Sequence, residues 1–103
     1  MSDDVRLSHQ TLKALRFFME TPREGRSGAE ISKAIKVGSG TLYPMLARLE
    51  AAGWLTSEWE VIDPSEAGRP RRRFYRLTAV GQNSARMALA DLQMAAGELA
   101  WIS

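Results

Sequence analysis

The chain has 103 residues, with 14 Lys and Arg against 12 Asp and Glu, one His and no Cys. That length suits one small domain, and the missing Cys exclude a disulfide framework, thiolate metal sites and Cys nucleophiles. With 45% apolar and 25% charged residues, no apolar run of bilayer length and an acidic start (Met1, Ser2, Asp3, Asp4), the sequence predicts an ordinary cytoplasmic domain with no membrane partner.

Ser8 is a candidate N-cap for a first helix carrying Leu12, Leu15, Phe18 and Met19 on one face, and Thr21-Pro22 ends it because a residue before Pro avoids helical dihedrals. His9, at its start, reads as an exposed helix-start residue. Ser27-Gly28-Ala29-Glu30 is a capping box that opens a second helix with Ile31, Ala34 and Ile35 as its apolar stripe, and Gly38 supplies a stop. Ser39 is read as the cap of a third helix with Leu42, Met45, Leu46 and Leu49 on one face. Pro44 falls in its first turns, where a missing N–H costs little if the helix begins at Gly40; Gly53 ends it.

From Trp54 to Val61 the pattern switches to alternation and predicts a strand. Residues Ile62 to Pro70, with two Pro, Gly, Asp and Ser, read as a loop, and Arg71 to Leu77 as a second strand. Thr78 onward predicts one long helix. Ala85, Ala88, Leu92, Ala95, Leu99 and Ile102 follow spacings of 3, 4, 3, 4 and 3, a short heptad seam, while Val80, Met87, Met94 and Trp101 form a second stripe. A helix apolar on several sides needs more than one covering surface. The expected fold is mostly α with a small β-hairpin: a winged helix-turn-helix over residues 1–77, then a C-terminal dimerisation helix over 78–103.

The net charge of +2 conceals an asymmetry. Residues 1–66 hold 8 bases and 10 acids, a balance of −2, whereas residues 67–103 hold 6 bases and 2 acids, a balance of +4. Five of those six bases are Arg69, Arg71, Arg72, Arg73 and Arg76, on the predicted hairpin.

Two short helices joined by a tight turn are the helix-turn-helix arrangement, whose second helix presents its N-terminal residues to base edges. Here that tip is Ser39, Gly40, Thr41, Tyr43 and Pro44, with Arg48 further along. Small residues permit close approach, and the hydroxyls and free N–H groups suit phosphate oxygens and base edges. The competing reading is a plain helical hairpin in which Ser39 only caps and Tyr43 only packs. The hairpin that follows favours DNA, because Arg-rich strands flanking a turn suit phosphates or the minor groove. Its own alternative is a solvated charged hairpin pairing with Glu58, Glu60, Asp63 and Glu66.

Gly40-Thr41-Leu42-Tyr43-Pro44, Leu46-Ala47-Arg48-Leu49-Glu50, Gly53-Trp54-Leu55, Gly68-Arg69 and Arg72-Arg73-Phe74-Tyr75-Arg76-Leu77-Thr78, with Gly81 just after, resemble the PadR-like winged-helix transcriptional regulators over roughly Leu12 to Leu92. The resemblance implies a bacterial repressor, nucleoid-associated when bound, that grips a palindromic operator in double-stranded DNA as a homodimer. It assigns DNA contact to Ser39, Thr41, Tyr43, Pro44, Arg71, Arg72 and Arg73, with Lys33 and Lys36 as phosphate contacts. It assigns Leu42, Leu46, Leu49 and Leu55 to the core and the last helix to the dimer interface. The chain ends at Ser103, as expected of a short member with a single terminal helix.

Some short members bind flat aromatic drugs between Trp side chains at the dimer centre. Leu92 occupies the matching position here, and Trp101 lies nine residues later, so that mechanism does not carry over. Met87, Met94 and Trp101 are a candidate effector pocket, with packing against the partner or the first helix as the plainer reading. A second function class is a winged-helix module that binds an acidic protein partner. The sequence predicts no enzyme and no cofactor: it has no His pair, no phosphate-binding Gly loop and no carboxylate pair with reaction geometry.

Overall fold

The computed structural model describes Val5 and residues 7–102, with side chains described as far as Leu92. In chain order the elements are α1 (His9–Glu20), β1 (Arg26–Ser27), α2 (Gly28–Ile35), α3 (Ser39–Ala51), β2 (Leu55–Trp59), α4 (Pro64–Ala67), β3 (Arg73–Leu77) and α5 (Ala79–Ile102). The strands form an antiparallel sheet in the order β1-β3-β2, with Leu55 opposite Leu77, Trp59 opposite Arg73 and Arg26 opposite Tyr75.

Ser8 caps α1 as expected, accepting from the Thr11 N–H at 3.2 Å. The buried face is Thr11, Ala14, Leu15 and Phe18. Leu12 and Met19 are only half-buried; the face toward the core is rotated from the predicted one, and Met19 with Arg16 borders α5 instead.

The capping box of α2 is complete: Glu30 N–H donates to Ser27 Oγ at 3.1 Å, and Ser27 N–H donates to Glu30 Oε1 at 3.0 Å. That backbone bond, Arg26 nearby and the Ser27 hydroxyl hold the Glu30 carboxyl below its ordinary pKa.

The stop for α2 differs from expectation. Lys36, not Gly38, takes the left-handed conformation, with φ 57°. Val37 N–H then closes the turn on the Ser32 carbonyl at 3.2 Å, and buried Val37 secures it as the apolar residue of such a cap. Gly38 is instead the N-cap of α3 with no side-chain bond, and Ser39 is already helical. Pro44 therefore lies beyond the first turn, and the Gly40 carbonyl loses a helical partner. Gly53 ends α3 as predicted: at φ 83° it lets Trp54 N–H reach the Leu49 carbonyl at 2.9 Å.

The core is one cluster. Leu15, Phe18, Ile31, Leu42, Leu46, Leu49 and Leu55 are all but fully buried, and Val5, Phe17, Met19 and Trp54 pack at its margin. Ala34, placed on the α2 stripe by spacing, is exposed.

Two elements have no counterpart in the sequence pattern. β1 is two residues long, too short to show a period. The predicted loop contains α4, with Asp63 as N-cap, Pro64 at its start and Gly68 at φ 69° after its end. It buries no side chain, so no apolar periodicity marks it.

The entry to α5 is clamped to the end of α3. Thr78 Oγ1 donates to the Gly53 carbonyl at 2.6 Å and accepts from Gly81 N–H at 2.9 Å. Gly81 lies against the Trp54 carbonyl so closely that a Cβ there would overlap it. Thr78 and Gly81 thus fix the direction in which α5 leaves the winged helix.

From that start α5 packs along α1. Ala85 is fully buried in the core of its own chain, so it is not available to a partner; Ala88 is half-buried, and Val80, Met87 and Leu92 are exposed. The side chains of Met94, Ala95, Leu99, Trp101 and Ile102 lie outside the described residues.

Candidate nucleic-acid interface

The N-terminal turns of α3 stand out from the body of the protein. Ser39, Gly40, Thr41, Tyr43 and Pro44 are all exposed, while Leu42, Met45, Leu46 and Leu49 anchor the opposite face. A Cβ at Gly40 would meet nothing within 4 Å, so the helix tip is open to an approaching surface. The Tyr43 ring lies across Gly28, leaving no room for a side chain there, while 46% of the residue stays exposed. Tyr43 therefore packs against α2 and faces solvent at once.

Lys33, Lys36 and Arg48 are exposed and make no ion pair among the described residues.

The wing arginines divide into two groups. Arg69 forms a two-pronged pair with Glu60, Nη1 to Oε1 at 2.7 Å and Nη2 to Oε2 at 2.9 Å, and Glu60 also accepts from Arg72 N–H at 3.2 Å. The Arg69 bonds, chiefly, hold the Glu60 carboxyl down to about 2, and the same contact raises the Arg69 pKa.

Arg73 reaches Glu50 of α3 at 3.6 Å, donates from Nε to Ser57 Oγ at 2.9 Å, and lies over the Trp59 and Tyr75 rings at 5.3 and 5.8 Å. Arg76 stands 3.7 Å from Glu58. These three brace the wing. The Arg71 side chain donates only to the Ile62 carbonyl at 3.1 Å, and the Arg72 guanidinium makes no ion pair among the described residues.

Of the acids expected to blunt the patch, Glu58 and Glu60 do so. Asp63 caps α4 instead, and Glu66 makes no ion pair among the described residues. Glu50 joins them without any signal in the chain, because only folding brings α3 beside β3.

Tyr43 of the α3 tip and the free arginines share one hollow of about 410 Å³. Tyr43 enters it from α3, Ser27, Gly28 and Ala29 from the start of α2, and Trp59, Arg71, Arg72, Arg73 and Tyr75 from the wing. In the sequence pattern Trp59 is only a strand residue. Its place in the alternation, on the same side as Leu55, carried no signal of exposure, yet it is 56% exposed. Tyr75 is the inward counterpart: it is buried, and desolvation raises its phenol pKa.

On a second face, Arg16, Met19, Arg86, Leu89, Ala90 and Leu92 line a groove of about 400 Å³ between α1 and α5. No described helix is long and apolar enough to cross a membrane. Among the described residues no cluster of His, Asp and Glu is suited to a metal ion.

A helix-turn-helix whose second helix lies beside a basic two-stranded wing is the winged-helix architecture. A family model described as the transcriptional regulator PadR-like family matches residues 24–87. The chain is 49% identical over 65 residues to a transcriptional regulator of Mycobacterium tuberculosis, a match covering 63% of this chain and 52% of that protein. The chain thus spans about half the length of this curated relative.

Among solved structures it resembles a PadR family regulator from Clostridium difficile (TM-score 0.76, 18% identity, 92% of this chain and 98% of that one). It also resembles Staphylococcus aureus MepR in a DNA-binding conformation (TM-score 0.71, 15% identity, 94% and 66%). The chain belongs to the PadR-like family of transcriptional regulators, DNA-binding proteins that are not enzymes.

Proposed function

We propose that the protein is a sequence-specific repressor that binds a palindromic operator as a homodimer, in the cytoplasm. The observation that supports this reading is the shared hollow: Tyr43 of the exposed α3 tip and the unpaired Arg71 and Arg72 line it together, so one duplex engages both. Ser39, Gly40, Thr41, Tyr43 and Pro44 enter the major groove, with Arg48 further along the helix. Arg71 and Arg72 hold phosphates, and Lys33 and Lys36 take phosphates from α2 and its turn. Arg69 and Arg73 serve through the wing's shape, since their guanidinium groups already have partners.

Residues 1–77 make the DNA-binding unit, and residues 78–103 provide the dimerisation helix. Exposed Val80, Met87 and Leu92 support that division, since large apolar residues along one helix call for a covering surface. Met87 is also the described member of the candidate effector stripe.

The test is a titration of operator DNA, selected from a random pool, at several salt concentrations. Replacing both Arg71 and Arg72 with Ala is expected to weaken binding and lower the salt slope by about 2. An unchanged slope removes the wing assignment. No DNA binding by the unmodified protein at low salt overturns the reading in favour of an acidic protein partner.

A further inference from the structure

Among the ion pairs of the wing, Arg69–Glu60 and Arg76–Glu58 join residues of the hairpin to each other. Arg73–Glu50 is different, because it leaves the hairpin and ends on α3. Glu50 is the penultimate residue of that helix, where a carboxylate faces the negative end of the helix dipole and does the helix itself no service. Its two oxygens are used across the chain instead. Oε2 accepts from the Ser57 hydroxyl of β2 at 2.7 Å, and Oε1 lies 3.6 Å from Arg73 Nη2 of β3. Arg73 Nε donates in turn to Ser57 Oγ at 2.9 Å, so the three side chains close a ring that joins α3 to both wing strands.

The place of this ring in the sheet gives it leverage. β1 pairs with β3 only at Tyr75 and Phe74. Arg73 is the next residue outward, and with Trp59 opposite it forms the last pair of the β2–β3 ladder. Arg72 and Arg71 follow directly. Among the described residues, the ring is therefore the outermost tie between the wing and the recognition helix, and it sets where the two free guanidinium groups stand relative to Tyr43.

Two elements held at a fixed separation fit a duplex whose groove and flanking phosphates match it. Other sequences must deform to reach both, at a cost that depends on the sequence. A wing free to swing reaches phosphates on any duplex. We infer that Glu50 is a specificity-determining positioning residue: through Ser57 and Arg73 it fixes the distance between helix tip and wing, so that DNA shape as well as base contact selects the operator. This rests on the proposed DNA-binding function, and it gives Arg73 to the brace and not to a phosphate. Charge alone predicts the opposite effect for Glu50. Removing a carboxylate beside a DNA-binding surface relieves repulsion of phosphates and tightens binding to every duplex.

The experiment titrates the full chain with the selected operator and with a scrambled duplex of equal length, at several salt concentrations. Glu50→Ala is expected to weaken operator binding about three- to tenfold, the size of one part-exposed ion pair and one hydrogen bond, while affinity for the scrambled duplex stays level or rises. The operator salt slope is expected not to fall, since no phosphate contact is lost. Arg73→Lys keeps the charge but loses Nε and the planar fork, and is expected to lower the operator-to-scrambled ratio as Glu50→Ala does. The double variant is expected to be no worse than the more damaging single one, because both break the same ring. Ser57→Ala changes no charge and is expected to lower the ratio about threefold. It decides the matter if circular dichroism shows that Glu50→Ala does not fold.

An unchanged operator-to-scrambled ratio in Glu50→Ala or Ser57→Ala overturns the inference. If both affinities fall together, the ring only supports the fold; if both rise together, Glu50 acts by charge. Arg73→Lys with the unmodified protein's ratio makes Arg73 a phosphate contact and overturns the inference as well. Failure of the DNA-binding function itself appears separately, as no discrimination between the two duplexes by the unmodified protein.

Discussion

The recognition surface and the α5 surface of this small protein are both exposed, but they are built on opposite principles. On the first, charge is sorted: Arg69, Arg73 and Arg76 stiffen the wing by pairing with Glu60, Glu50 and Glu58, and Arg71 and Arg72 keep their donors available. On the second, apolar side chains are left uncovered: Val80 is 60%, Met87 68% and Leu92 50% exposed. A cationic surface is well solvated alone and gains from an anionic partner by releasing counterions. An apolar stripe is poorly accommodated by water and gains from any matching surface. The near-neutral net charge hides this division, because the free arginines of the wing and the bare aliphatic residues of α5 lie on different elements.

The largest expected effect comes from breaking the joint between the two surfaces. Gly81→Val puts a side chain into the Trp54 carbonyl, and backbone cannot yield there as a flexible side chain would. It is expected to cost about 3 kcal/mol or more of stability in chemical denaturation. Gly40→Ala, at the open tip of α3, is the contrast: it is expected to leave the fold intact or slightly firmer, by about 0.5–1 kcal/mol, while weakening DNA binding. If both glycines behave alike, the distinction between a packing glycine and an approach glycine fails.

A smaller effect is expected on the apolar side. Leu92→Glu places a charge at an exposed position of the predicted heptad seam and is expected to yield monomers in sedimentation, with DNA affinity falling because the two half-sites are no longer linked. A variant that remains dimeric removes Leu92 from the seam.

The smallest concerns the wing brace. The folded Glu60 carboxyl titrates at about 2 against an ordinary 4.5. A depressed folded-state pKa adds stability that is complete above 4.5 and is lost as pH falls from there toward 2. The Glu60 carboxyl resonance is therefore expected to titrate near 2 by NMR, and near its ordinary value in Arg69→Ala. If Arg69→Ala leaves that titration unmoved, the fork does not hold the wing.

Much of this molecule was legible before folding. The capping box at Ser27 to Glu30, the cap at Ser8, the left-handed Gly53 and the apolar rows of α3 are local devices, set by residues a few positions apart. So were the basic hairpin and the exposed tip of α3, since small residues and clustered Arg are properties of composition. The turn after α2 falls elsewhere than the glycines suggest, because a left-handed Lys36 is a rare choice, favoured here by burying Val37. α4 is invisible in the pattern although Asp63, Pro64 and Gly68 mark both its ends, because four residues without an apolar stripe carry no period.

The sequence by itself determined the kind of fold, its local boundaries and where its positive charge is concentrated, because caps, periods and charge runs act over a few residues. Only the tertiary structure decided which arginines are free. Arg69 and Arg72 look alike in the chain, and they differ because Glu60, just past the end of β2, lies in hydrogen-bonding reach of one guanidinium and of only the backbone N–H of the other. Tertiary packing likewise turned Ala85 inward and gathered Tyr43, Trp59 and Arg72 around one hollow. Those relations depend on distances between residues far apart in sequence, which no local pattern encodes.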